Sequence, residues 1–105
     1  MARHKQPETA VLRAVRDFLE LGGWLVVRHH QTLGSHRGFP DLTALKDGRT
    51  VYIEVKTARG RLSAAQLSFR EAVVAHGGEY IVARSVSDVQ HLCECLRLCS
   101  SVEMP

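Results

Sequence analysis

The chain has 105 residues, 45% of them hydrophobic and 24% charged, which supports one modest core and excludes both two independent domains and an intrinsically unfolded chain. A formal charge of +3 and a pI near 9.0 favour an anionic partner, yet acidic residues are too numerous for a histone-like polycation. No uninterrupted apolar run, Trp24 to Val27 included, is longer than four residues, far short of the ~20 that cross a bilayer, so no membrane span is expected. Cys93, Cys95 and Cys99, odd in number and crowded together, make a poor disulfide framework, and Met1 to Pro7 lead into no apolar signal core. A cytoplasmic location is the expectation, with one domain over residues 1–105, a core from about 7 to 99 and a frayed tail at 100–105.

Pro7 at a first helical position, Glu8 in the first turn, then Val11, Leu12, Val15, Phe18 and Leu19 at three-to-four spacing predict an amphipathic helix from Pro7 to Leu21, closed by Gly22-Gly23. Trp24 to Arg28 reads as a buried strand. His29 to Phe39, with three histidines, Arg37 and two glycines but no periodicity, reads as an exposed basic loop. Asp41 to Lys46, Asp47-Gly48, and Arg49 to Lys56 predict a hairpin, because Asp-Gly suits the turn that right-twisted strands prefer. Thr57 to Arg61 is a short basic loop. Ser63 opens a second helix with Leu67, Phe69, Ala72 and Val73 as its apolar stripe, ended by Gly77-Gly78. Tyr80 to Ala83 is a fourth strand, and Ser87 to Cys99 a last helix bearing Val89, Leu92, Cys93, Leu96 and Cys99 on one side. The order α-β-β-β-α-β-α predicts an α/β fold, a mixed sheet flanked by helices.

The hairpin fixes a register. If Asp47-Gly48 forms a two-residue loop, Lys46 pairs with Arg49, and counting back places Asp41 opposite Glu54. Directly opposed residues share a face with Cβ atoms roughly 4.5–5.5 Å apart, where like charges repel. Along the second strand Tyr52, Glu54 and Lys56 point one way and Val51, Ile53 and Val55 the other, so Lys56 joins the two carboxylates. A hard divalent cation is the natural counterion of such a pair; Mg²⁺ keeps waters while binding substrate phosphate, and the Val55 carbonyl is a further possible ligand. Such an ion polarises a phosphoryl oxygen and acidifies a bound water, which Lys56 would orient. An ordinary surface salt-bridge cluster of Asp41, Glu54 and Lys56 has the same pattern and little energetic worth.

Gly38-Phe39-Pro40-Asp41-Leu42, a short hairpin and Ile53-Glu54-Val55-Lys56 resemble the PD-(D/E)xK nuclease signature, and the ordered set from Glu8 to about Val89 resembles its VRR-Nuc branch. The set includes Arg61 to Gln66, Gly77-Gly78 and Val82 to Val86. The resemblance implies a restriction-endonuclease-like core and a phosphodiesterase dependent on Mg²⁺ or Mn²⁺, with metal ligands at Asp41 and Glu54 and a catalytic lysine at Lys56. It further implies a stand-alone protein of a bacterial or phage-infected cell, acting as a homodimer on branched DNA such as four-way junctions. No organic cofactor is expected. The competing reading is a non-catalytic module on a nuclease fold that binds DNA structure or a protein.

Glu8 falls on the apolar stripe of the first helix and, by resemblance, lies near the metal as a further ligand; a first-turn glutamate also simply favours the helix dipole. Gln66 completes a Ser63-x-x-Gln66 capping box, whereas the resemblance assigns it a supporting place in the active site. A single rotamer is expected to serve only one of these. Arg28, His36, Arg37, Arg59, Arg61 and Arg84 are candidates for contact with the DNA backbone, each also explicable as ordinary solvated charge. His91 with the three cysteines lacks the paired spacing of a zinc knuckle.

Overall fold

A computed structural model describes residues 7–30 and 36–93. The elements are α1 (Glu8–Leu21), β1 (Leu25–Arg28), β2 (Leu42–Lys46), β3 (Arg49–Val55), α2 (Ala64–Ala75), β4 (Glu79–Ala83) and a 3-10 helix, Val86–Cys93. The four strands form one sheet in the order β1-β2-β3-β4. β1, β2 and β3 pair antiparallel, while β4 joins β3 in parallel after the α2 crossover, so the sheet is mixed as expected.

Alternation along β3 gives the sheet two different faces. Leu42, Ala44, Val51, Ile53 and Val55 point to one of them and are fully buried with Val15 and Leu19 of α1, whose apolar residues recur at helical spacing. Val89, Leu92 and Cys93 of the 3-10 helix close the same core. Trp24 is pinned there by donation from its indole Nε1 to the Leu92 carbonyl, 3.1 Å, and the Arg49 guanidinium lies over its ring. Arg49 also grips Glu79 through two 2.7 Å bonds, tying the start of β3 to the start of β4.

The opposite face is covered only in part. Phe69 of α2 packs edge-on against Phe39 and Tyr52 and tilted against Tyr80. The β1–β2 portion stays open: Leu25 is 61% exposed, Val27 40% and Leu45 37%.

Several expectations change in detail. β1 is an exposed edge strand beginning at Leu25, because α2 reaches only the β3–β4 half of that face. Pro7 is the N-cap of α1 with an extended backbone, one position before the predicted place. β4 starts at Glu79. In α2 the inward residues are Phe69 and Val73, while Leu67 and Ala72 face outward. Among the described residues the last element is a 3-10 helix from Val86 to Cys93 where the start of an α-helix at Ser87 was expected. Its tighter turn still buries Val89, Leu92 and Cys93, and Leu96 and Cys99 lie outside the described residues. Among the described residues, no helix is long and apolar enough to cross a membrane.

Candidate active site

The turn at Asp47-Gly48 has positive φ at both residues, 51° and 82°, the geometry of a two-residue type I′ hairpin. Lys46 therefore pairs with Arg49, and the ladder runs back to Leu42 opposite Ile53. Asp41 is one step beyond, out of the strand, and its side chain takes over where the ladder stops. Its Oδ2 accepts a 2.9 Å hydrogen bond from the Val55 amide, while its carbonyl accepts from His29 N at 2.8 Å. The carboxylate is thus anchored by backbone on a face it shares with Glu54.

Glu54 is only 3% exposed. Its Oε2 accepts from Gln66 Nε2 at 2.9 Å and faces Lys56 Nζ at 3.6 Å. Its Oε1 is buried and has no hydrogen-bond partner. Burial pushes the carboxyl up to about 7, the Asp41 charge adds to the rise, Lys56 opposes it and Glu8 contributes at longer range. Tyr80 has a buried hydroxyl without a partner; burial first and the Glu54 charge next raise it to about 12, so the phenol stays protonated.

The loop carrying Asp41 is held by its approach to α2. Gly38 has φ +77, and a Cβ built there would overlap the carbonyl of Ala65 at 2.2 Å and crowd Gln66 N at 2.9 Å. Only glycine permits both the left-handed backbone and this contact. The same first turn of α2 carries Gln66, so one docking brings both Asp41 and Gln66 to Glu54.

Gln66 corrects an expectation. Its Oε1 accepts from Ser63 N at 2.8 Å while Ser63 Oγ accepts from Gln66 N at 3.1 Å, a complete capping box. The Nε2 of the same rotamer donates to Glu54. An amide has two chemically distinct ends, and here each end has its own partner.

Glu8 is exposed in the first turn of α1, not on the buried stripe; only its charge reaches Glu54. Among the described residues no three histidine, cysteine or carboxylate side chains converge as a ready metal cluster. The pair Asp41 and Glu54 nevertheless suits a hard cation that keeps most of its waters: the neighbouring Asp41 charge raises the cost of ionising Glu54, and Glu54 Oε1 has no other partner. His91 is exposed and Cys93 is buried in the core, which separates their surroundings; Cys95 and Cys99 lie outside the described residues.

The candidate DNA-contacting residues do not behave alike. Arg28, Arg37, Arg59 and Arg61 are exposed. His36 turns Nδ1 to the Arg37 carbonyl and stacks edge-on against Phe69; with Arg37 it lines an open cavity of about 630 Å³ along Ala65, Ser68 and Ala72. Arg84, though exposed, commits Nη1 to backbone carbonyls of the Thr57–Gly60 turn. Tyr80, on β4 beside Tyr52, was not singled out in the sequence; the parallel β3–β4 register that brings it near Glu54 is set by the crossover and leaves no local motif.

The model of the VRR-NUC domain matches residues 9–87, spanning Asp41, Glu54, Lys56 and Gln66. The chain belongs to the VRR-NUC family. A solved structure of a VRR-NUC domain is similar at 28% identity and a TM-score of 0.71, the match covering 83% of this chain and 94% of that one. A search of curated protein sequences finds no match. VRR-NUC is a nuclease-family domain, so its general role is to act on DNA, and the matched stretch includes the site just described.

Proposed function

We propose that this VRR-NUC domain is an endonuclease that hydrolyses DNA phosphodiester bonds with Mg²⁺ or Mn²⁺, on branched DNA such as four-way junctions. The observation that carries the reading is the buried Glu54 carboxylate, with an unpartnered Oε1, beside Asp41 and 3.6 Å from the Lys56 ammonium. Surface salt bridges have no reason to bury one carboxylate against another, since desolvation and repulsion both oppose it.

Asp41 and Glu54 would hold the cation, with the Val55 carbonyl and Glu8 as further candidate ligands. When bound, the ion supplies Lewis acidity towards the phosphoryl oxygen and a more acidic water. The protein's share is positional. Val55 N fixes the Asp41 carboxylate, Gln66 Nε2 holds Glu54 Oε2 and leaves Oε1 free to ligate, and Lys56 orients the attacking water or stabilises charge developing on phosphorus. Exposed Arg28, Arg37, Arg59 and Arg61, with His36, would meet the DNA backbone.

A homodimer accounts for the open apolar portion of the sheet, where Leu25, Val27 and Leu45 lie exposed beside the edge strand β1. Two copies would also enlarge a DNA-binding surface that is small in one domain.

The test is cleavage of labelled four-way junction, flap and linear duplex in Mg²⁺, Mn²⁺ or EDTA, with Asp41→Ala and Lys56→Ala beside wild type. Metal-dependent cutting that both substitutions abolish is expected, with the junction preferred. Structure-selective binding without cleavage under every condition would make the domain a binding module.

A further inference from the structure

We propose that Arg84 is a positioning residue for Lys56, fastening from the end of β4 the turn against which the Lys56 side chain rests. The proposal rests on the nuclease reading for its catalytic consequence and on geometry alone for the clamp.

Lys56 follows the last residue of β3, where strand pairing is running out. Its amide still donates to the Ala83 carbonyl, 3.0 Å, so its backbone is tied to the residue just before Arg84. The chain then reverses through Thr57–Gly60, closed by Gly60 N donating to Thr57 O at 3.1 Å. A turn of this kind directs carbonyl oxygens inward, where they need donors. Arg84 Nη1 meets them: it donates to Thr57 O at 2.7 Å and Gly60 O at 2.6 Å, with Ala58 O at 3.4 Å. The root of Arg84 is fixed as well, since its amide donates to Asp88 Oδ2 at 2.8 Å. A charged, planar donor suits this task, because charge-assisted bonds to several carbonyls hold better than neutral ones.

The turn in turn supports the lysine. A Cβ built at Gly60 would stand 3.4 Å from Lys56 Cδ and 3.2 Å from Thr57 Oγ1, so the turn runs close beside the lysine stem. The Lys56 side chain is left only 15% exposed, with its ammonium beside Glu54. A long, flexible side chain held this way has lost most of its alternatives before substrate arrives.

Arg84 as a plain phosphate contact makes different predictions, and the full chain with Arg84→Ala and Arg84→Lys separates the two. In metal-free protein, Arg84→Ala should speed hydrogen exchange at the Gly60 amide and raise Lys56 side-chain mobility by NMR. In Mg²⁺ the single-turnover cleavage rate should fall by up to about a hundredfold, as a misplacement near 1 Å can cause. DNA affinity in EDTA and its salt dependence should be unchanged, and Arg84→Lys should recover part of the rate. The proposal is overturned if Lys56 mobility is unaltered, or if affinity weakens with a salt slope shallower by about one while the rate holds. A wild type that cuts no DNA removes the nuclease reading, and exchange with Lys56 mobility then decides the clamp by themselves. If Arg84→Ala fails to fold, Arg84→Lys carries the same comparisons.

Discussion

Replacing Glu54 by glutamine should make the metal-free protein more stable in mild base and leave it unchanged in acid. In the unfolded chain the carboxyl releases its proton near 4.5, whereas in the fold it does so near 7, chiefly because it is buried and next because Asp41 lies beside it. Between those values the folded state holds the extra proton, so stability falls as pH rises. The contribution is fully present below 4.5 and lost once pH passes about 7. At roughly 1.4 kcal/mol per pH unit, the interval amounts to about 3 kcal/mol. Glutamine never ionises, and its carbonyl can still accept from Gln66. Thermal unfolding followed by the fluorescence of Trp24, the sole tryptophan, should give matching midpoints for wild type and Glu54→Gln at pH 4.5. At pH 8 they should differ by about 10 °C or more, the variant being higher, given ~4–8 °C per kcal/mol for a domain of this size. Added Mg²⁺ should raise the wild-type midpoint at pH 8 and leave the variant unmoved, since a cation that binds only the folded state stabilises it. Parallel curves for the two proteins from pH 4.5 to 8 would show that burial beside Asp41 does not raise the Glu54 carboxyl.

Gly38→Ala should destabilise by about 2 kcal/mol or more, from the left-handed backbone and the overlap with Ala65 O together, and should lower cleavage as the Asp41 loop lifts from α2; urea unfolding and a cleavage assay check both. Gln66→Glu keeps the acceptor for Ser63 N but exchanges the donor to Glu54 for a second negative charge, so its midpoint should drop more at pH 8 than at pH 5. Leu19→Ala, in the buried core, should cost about 3 kcal/mol, whereas Leu21→Ala, at a residue 82% exposed, should change stability by less than ~0.5 kcal/mol. Leu25→Glu should convert a dimer to monomer in sedimentation without altering the unfolding of the isolated protomer.

What could be read from the sequence divides by the range of the interactions that decide it. The hairpin register was legible because Asp47-Gly48 dictates its own backbone, and from that alone Asp41, Glu54 and Lys56 fall on one face. The apolar stripe of α1 was legible for the same local reason. Whether β1 is buried depends instead on how far α2 extends across the sheet, and its apolar residues read identically either way. Glu8 misled because its spacing matches the stripe while its place in the first turn lets it point to solvent. The double use of Gln66 was hidden by treating its amide as one group, and the posts of Arg84 and Tyr80 follow from the parallel β3–β4 register, which joins residues far apart in the chain and gives neither post a local signal. The family resemblance supplied the roles of the site residues, and the geometry now supplies their partners.

In the proposed reaction Asp41 and Glu54 act with a divalent cation to break a phosphodiester bond. Single-turnover cleavage of a labelled four-way junction by wild type and Asp41→Ala, each in Mg²⁺ and in EDTA, tests this most directly. Cutting by wild type in Mg²⁺ alone, with none by Asp41→Ala, is the predicted result; cleavage that persists in Asp41→Ala or in EDTA would contradict it.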